Sequence, residues 1–295
     1  MVRGGRRVVV VGAAGQLGRD LLEVWRQERP EDRLVGLTHA DMELADLESV
    51  RRVLLPLGPQ LVLNAAAYNL VDRAETDPRA AFEVNAIGPR NLALMVEELS
   101  ADLVHVSTDY VFSGAGRRPY IEDDPVDPGS VYGVSKAAGE MLVRATTQRH
   151  FVVRTSGLYG VAGSGGKGGN FVDTMLRLAA EGRPIRVVDD QVLTPTCTAD
   201  LAAQVLRLSD TNAYGTYHAT CQGECSWYAF AADVFRQAGL NPPLEPQTTA
   251  EAGRPAARPH YSVLDNRGLR ELGIDVMPDW REALQRYLSA KAPPA

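Results

Sequence analysis

The first patterned stretch of the chain is Val8–Val11, an unbroken β-branched run. A short run with no polar alternation predicts a strand covered on both faces, as in a parallel sheet. Apolar positions then fall at helical spacing from Leu17 to Arg29, and Leu34–Leu37 reads as a second strand. A helix is predicted over Leu47–Leu55, ending near Pro56, followed by a strand over Leu61–Asn64. Helical spacing returns over Pro78–Leu99, despite the internal Gly88-Pro89. Leu103–Ser107 reads as a strand, Val131–Thr147 as a helix and Phe151–Arg154 as a strand. Strands alternating with helices in this way predict an α/β fold built on a doubly wound parallel sheet.

The pattern changes after this point. Gly160–Gly169 is glycine-rich and reads either as a linker or as a loop that orders around a ligand. Phe171–Glu181 and Ser226–Ala238 are predicted helices, Tyr214–Ala219 a late strand returning to the sheet, and Trp280–Leu288 a final helix. Asn241–Arg258, rich in Pro and Ala, is expected to be irregular. Residues 1–155 are therefore expected to form one domain. Residues 156–295 form a smaller second portion, with a stretch near 196–220 returning to the first.

Bulk properties narrow the function. The 295 residues are 45% hydrophobic and 23% charged, an ordinary globular balance. A net charge of -6 argues against a nucleic-acid partner. Cys197, Cys221 and Cys225 are too few and too oddly spaced for a disulfide framework or a zinc site, so no metal is expected. No apolar run approaches the roughly 20 residues of a membrane span. The apolar stretch after the basic N-terminus is broken at once by Gly12, unlike a signal peptide. The expected location is the cytoplasm, without a membrane partner.

The candidate chemistry begins at Gly12-Ala13-Ala14-Gly15-Gln16-Leu17-Gly18. Glycines spaced G-x-x-G-x-x-G between a strand and a helix let the backbone turn sharply and approach a pyrophosphate. The helix end then offers free N–H groups to it. This makes the sheet Rossmann-like and its ligand a nicotinamide dinucleotide. An NAD site usually carries an acid at the end of the second strand, on the ribose. Here the strand ends in Leu37-Thr38-His39, and Asp41 comes late. Arg19, directly after the turn, could meet a 2′-phosphate. The cofactor is therefore expected to be NADPH, with NADH left open.

Tyr132 and Lys136 lie four apart, on one face of the predicted helix. A nearby ammonium is expected to pull the phenol pKa down, so that tyrosine can protonate an alkoxide forming from a carbonyl. Lys136 could also bond the nicotinamide ribose. Ser107 and Thr108 end a strand at the sheet edge where ligands bind, and either could donate to a substrate carbonyl or merely cap a turn.

At these residues the chain resembles the extended short-chain dehydrogenase/reductase family, and within it the dTDP-4-dehydrorhamnose reductase branch. The resemblance runs over nearly the whole chain. It is carried by GAAGQLG at Gly12, VLNAAAYNLVDRAE at Val62, VHVSTDYVFSG at Val104 and YGVSKAAGE at Tyr132. It continues in RTSGLYG at Arg154, NFVDTMLRLAAEGRPIRVVDDQ at Asn170 and ARPHYSVLDN at Ala257. The resemblance implies reduction of a nucleotide-linked 4-keto-6-deoxy sugar, dTDP-4-dehydrorhamnose to dTDP-rhamnose. It puts Gly15, Gln16 and Leu17 against the cofactor, Asp46 and Leu47 near the adenine, and Ala65, Ala66 and Ala67 along its flank. Thr108, Tyr132 and Lys136 would be the catalytic triad. Thr108 and Asp109 would touch the sugar, and Arg258 would lie near its nucleotide.

One position departs from that branch. Its R-T-S-W segment, whose tryptophan packs on the sugar, here ends in Gly157. This keeps two alternatives open: a regulatory subunit similar to the methionine adenosyltransferase β subunit, and a reductase or epimerase of another sugar nucleotide. Assembly as a homodimer also stays open.

Overall fold

The computed structural model describes residues 5–162 and 169–291. Val8–Val11 lie in β1 (Arg7–Val11) and are buried, because β1 sits inside the sheet between two parallel neighbours. α1 (Gln16–Glu28) leads to β2 (Arg33–Leu37), and α2 (Leu47–Leu57) leads to β3 (Leu61–Asn64). The short α3 (Val71–Ala74) and α4 (Pro78–Phe82), a wider π turn at Glu83–Ile87 and α5 (Gly88–Leu99) precede β4 (Asp102–Thr108). A single 3-10 turn at Asp109–Val111 then leads to α6 (Val131–Thr146) and β5 (His150–Thr155). The first sheet is completed by β10 (Gly215–His218), so the late strand returns as expected. The order is β10-β5-β4-β3-β1-β2, parallel throughout.

In this order the chain runs outward in opposite directions from β1 and β3. Their last residues, Val11 and Asn64, are register partners. The Gly12 turn and the Ala65–Ala67 segment therefore diverge from one point at the carboxyl edge, where open α/β sheets bind ligands. One face of the sheet is covered by α1 and α8 (Thr198–Ser209), through Leu21, Trp25, Leu201 and Val205. The other is covered by α2, α5 and α6, through Val50, Leu92, Val96 and Val143.

The remaining elements form a second core. Its main parts are β6 (Leu158–Tyr159), α7 (Phe171–Glu181), β7 (Ile185–Val188), α9 (Trp227–Gln237) and α12 (Trp280–Lys291). Tyr159, Phe230 and Trp280 fill it, with Phe230 edge-on to Trp280 at 5.6 Å. β8 (Val192–Leu193) pairs antiparallel with β11 (Cys225–Ser226), and β9 (Thr196–Cys197) pairs with β6.

Four sequence expectations are corrected or bounded. α2 runs past Pro56 to Leu57 and ends on Gly58, which is left-handed at φ 51°. A proline in the last turn removes only one helical bond, so the helix survives it. Pro78–Leu99 is not one uniform helix. In an uninterrupted α-helix the Pro89 ring would strike the Asn85 carbonyl four residues back, and the π turn at Glu83–Ile87 relieves this. Asn241–Arg258 is more ordered than expected. It contains β12 (Leu244–Gln247), parallel to β7, and the short α10 (Thr249–Ala252), closed by a Thr248–Glu251 capping box. An edge strand tolerates the proline at position 246 that hid it. Of the Gly160–Gly169 stretch, positions 163–168 lie outside the described residues.

Cys197, Cys221 and Cys225 are buried free thiols, pushed up by burial to about 11, 12 and 12. Among the described residues no helix is long and apolar enough to cross a membrane, and no group of three or more His, Cys, Asp or Glu could hold a metal.

The π turn also sets how closely α6 can dock. A Cβ added at Gly139 would lie 2.1 Å from the Asn85 carbonyl oxygen. Gly139→Ala should therefore cost about 1–3 kcal/mol of stability through overpacking. Urea unfolding measures this, and an unchanged midpoint would mean that the two backbones do not touch.

Candidate active site

The glycine turn divides its labour. Gly12 (φ 81°) presses on the alanine segment, where a Cβ would lie 2.7 Å from the Ala66 nitrogen. At Gly18 a Cβ would lie 2.2 Å from the Gly12 carbonyl. Both glycines are thus required by packing alone. Gly15 differs: it is exposed, and a Cβ there would meet only the Gly12 oxygen, at 3.3 Å. It is also the N-cap of α1, and no side chain caps that helix. Asp46, Ser130, Asn170 and Ser226 do cap α2, α6, α7 and α9. The first turn of α1, with Leu17 buried behind it, is left for an anion.

Around this turn Gln16 donates to the Leu158 carbonyl at 3.2 Å, while its own Oε1 is buried with no partner among the described residues. Arg19 is exposed and folds back onto the Ala14 carbonyl at 3.3 Å. Ala65 and Ala66 are half-buried and Ala67 is exposed. Asp46 caps α2 by accepting from the Glu48 N–H at 3.0 Å, and Leu47 opens that helix, half-buried. The sequence put no carboxylate at the end of β2. In the structure a turn brings Asp41 back, so that it accepts from the Thr38 N–H and hydroxyl at 2.8 and 2.7 Å. The uncapped helix end, the open space at Gly15 and the unpartnered Gln16 oxygen fit a dinucleotide.

Beyond β3 and β4 lies the second half of the site. Thr108 ends β4 and accepts from the Tyr110 N–H at 3.2 Å, so it does cap the 3-10 turn. Its hydroxyl also donates to Asp109 at 3.0 Å, and Ser156 donates to the other Asp109 oxygen at 2.8 Å. Asp109 is buried, which raises its pKa, while the Ser262, Ser156 and Thr108 hydroxyls hold it back. Its carboxylate is thus engaged within the protein.

Tyr132 stands in the first turn of α6, edge-on to Tyr110 at 5.6 Å. Lys136 is 2% exposed, and its Nζ donates to the Val106 carbonyl at 2.7 Å. Burial lowers Lys136 to about 8. The expected downward pull on Tyr132 does not appear. Burial pushes its phenol up to about 12, with the Thr108 hydroxyl acting in the opposite sense. Desolvation of the phenolate outweighs any help from a lysine whose hydrogen bond goes to a strand carbonyl. Tyr132 is held as a phenol, the form that can give a proton.

Arg258 is half-buried, and its two terminal nitrogens each meet Asp72 at 2.9 Å. Gly157 follows Ser156 with φ 57°. A Cβ there would lie 2.7 Å from Leu193 Cδ1 and 3.1 Å from Pro195 Cα. A side chain here would be strained by the left-handed backbone and would have to displace the end of Leu193.

Several supporting residues escaped the sequence reading. Asn64 accepts from the Ala66 N–H at 3.2 Å and meets His105 Nδ1 at 3.1 Å, which holds the alanine segment in place. Asn85 bonds both the N–H and the carbonyl of Tyr68, and donates to Ser135 at 3.0 Å. Ser135 in turn bonds the Tyr132 carbonyl. Glu140, one turn beyond Lys136, pairs with Arg154 in the interior. Only Glu140 left a readable sign, its spacing of four from Lys136.

Fold and site together define a dinucleotide-binding oxidoreductase of the doubly wound α/β class. The chain belongs to the RmlD substrate binding domain family, whose model matches residues 6–292. It is 43% identical to the spore coat polysaccharide biosynthesis protein SpsK of Bacillus subtilis, covering 97% of this chain and 98% of that protein. It is 41% identical to a dTDP-4-dehydrorhamnose reductase of Streptomyces griseus, covering 96% and 93%. Among solved structures it is similar to dTDP-4-dehydrorhamnose reductase of Bacillus anthracis in complex with NADP. That match has a TM-score of 0.93 at 39% identity, over 97% of this chain and 100% of the other.

The glycine contrast is testable. Gly15→Val should fold normally but weaken NADPH binding about tenfold or more, equivalent to at least about 1.4 kcal/mol. Gly18→Val should lower stability itself. NADPH fluorescence titration and thermal melting separate the two; undiminished NADPH affinity in folded Gly15→Val would refute the anion-site assignment.

Proposed function

We propose that this protein uses NADPH to reduce the 4-keto group of a dTDP-linked 6-deoxy sugar, dTDP-4-dehydrorhamnose in the first instance. The observation that supports the reading is that Thr108 ends β4, with Tyr132 linked to it and Lys136 bonded to the same strand, at the same carboxyl edge of the parallel sheet as the uncapped turn at Gly15. When bound, the reduced nicotinamide supplies a hydride to C4. Thr108 turns its hydroxyl from Asp109 to donate a hydrogen bond to the 4-oxygen, polarising the carbonyl. Tyr132 gives its phenolic proton to that oxygen as the C4–H bond forms, so the ketone becomes an alcohol. Lys136 stabilises the phenolate left behind, and its N–H groups not used by Val106 are available to the ribose. Arg258 exchanges part of its contact with Asp72 for the diphosphate, whose geometry suits a guanidinium fork.

On this reading, residues 1–155 form the cofactor half and 156–295 the substrate half, with the stretch near 196–220 belonging to the first. Gly157 opened the regulatory-subunit alternative, but its left-handed backbone at φ 57° supplies a local reason for a glycine there. The chain would act in the cytoplasm on a small nucleotide sugar. Light scattering on the purified protein decides whether it does so as a homodimer.

Tyr132→Phe keeps the ring and removes the proton. It should leave the fold and NADPH affinity intact while lowering turnover by about 10²–10⁴-fold. NADPH oxidation with dTDP-4-dehydrorhamnose is the assay. Wild-type turnover in the variant would remove Tyr132 from the chemistry.

A further inference from the structure

Tyr132, Lys136 and Glu140 follow one another at intervals of four along α6, so they form one stripe. The last of them is fully buried, yet no step of the reduction uses it. A carboxylate is rarely placed in an interior without a partner. All the contacts of Glu140 are donors. Nε and Nη2 of Arg154 reach its two oxygens at 3.0 and 2.8 Å, and the Ser107 hydroxyl donates at 2.6 Å. Arg144 lies 3.5 Å away on the same helix. Arg154 belongs to β5 and Ser107 to β4, so this one carboxylate ties the middle of α6 to two adjacent strands.

The tie falls at a useful place. Ser107 directly follows Val106, whose carbonyl holds Lys136, and directly precedes Thr108. The strand end that faces the substrate is thus pinned within one residue of Thr108, and the helix that carries Tyr132 is pinned one turn beyond Lys136. Arg154 is braced from behind. Its Nη1 reaches the Glu122 carbonyl at 3.3 Å and His218 Nε2 at 3.4 Å. The other ring nitrogen of His218 lies 3.0 Å from the Tyr120 carbonyl. Burial and Arg154 together keep that ring neutral, at about 3.

Glu140 also carries charge toward Lys136. On α6 this lysine has Tyr132 and Glu140 four residues to either side; His105 on β4 feels its charge, and Asp109 lies on the turn after that strand. His105 is buried and held well below its usual range, first by burial and then by the Lys136 charge. Asp109 is bound by the Ser156 and Thr108 hydroxyls. On the helices beside α6, Glu97 is bonded to Thr147 at the far end and Glu83 to Arg79. Among the described residues, Glu140 is the charge that opposes the effect of burial on Lys136.

We propose that Glu140 is a positioning residue for the reduction: through Ser107 and Arg154 it fixes α6 on the sheet, and it sets a carboxylate one helical turn from Lys136 on the same face. The proposal rests on Tyr132 and Lys136 being the working pair.

The test follows kcat/KM for NADPH from about pH 6 to about pH 10 in the full-length wild type, Glu140→Gln and Glu140→Asp. In Glu140→Gln the alkaline limb should move down by about one pH unit, a tenfold change in the ammonium-to-amine ratio at a given pH. Glu140→Asp keeps the charge, so its limb should stay near the wild-type position while kcat falls. NADPH affinity, read by fluorescence across the same range, should show the same shift without turnover. Should Glu140→Gln fail to fold with Arg154 unpaired, Glu140→Gln/Arg154→Met removes the stranded guanidinium; a cation is then lost with the anion, so its limb is compared with that of Arg154→Met alone and should lie below it. A folded Glu140→Gln with an unmoved limb would overturn the proposal, as would a double variant whose limb matches that of Arg154→Met, or Glu140→Asp shifting as far as Glu140→Gln. If the wild-type limb itself survives Lys136→Met, the failure lies with the role given to Lys136 instead.

Discussion

Lys136 sits inside the protein with its ammonium bonded to a strand carbonyl, that of Val106. A buried cation of this kind costs several kcal/mol unless polar groups replace the lost water. The rest of the site can be understood as the surroundings that make it tolerable. The Val106 carbonyl accepts from it. Glu140 supplies a compensating charge one turn away. His105, close enough to feel that charge, stays neutral. Burial still brings Lys136 down to about 8, so it carries its proton through neutral pH with little to spare.

Holding that geometry requires backbones to meet without side chains between them. Gly139 lets α6 approach the Asn85 carbonyl, and Gly12 lets the cofactor turn rest on Ala65 and Ala66. Asn85 then joins the segment after β3 to α6 through Tyr68 and Ser135. The proposed cofactor wall and the proposed proton donor are therefore parts of one hydrogen-bonded unit. Displacing either would be felt by the other.

Much of the sheet was legible because β1, β3, β4 and β5 are buried on both faces and spell that burial as apolar runs. β12 was not legible, since an edge strand reading Leu-Glu-Pro-Gln carries no such signal. Pro89 alone could not reveal the π turn, because a proline tells only that a regular turn is disfavoured there and not whether the helix breaks or widens. At the site, the spacing of four put Tyr132 and Lys136 on one face of a helix, and α6 carries both. The same spacing misjudged their coupling, because burial, which pushes Tyr132 up to about 12, is a property of the folded surroundings. Asp41 was read by its distance along the chain and not by the turn that returns it to Thr38. Asn64, Asn85 and Arg154 act through partners far away in sequence, which no local pattern records. Gly157 looked like a lost contact until the backbone there proved left-handed.

The central claim is that a buried, easily discharged Lys136 governs the site. Its most direct test is the pH dependence of NADPH affinity in the wild-type protein, compared with Lys136→Met. The lysine loses its proton as pH rises through about 8, so affinity should fall above that value. Lys136→Met should bind NADPH more weakly and with no such fall. A wild-type affinity that stays level to about pH 10, near the ordinary lysine value, would contradict the account.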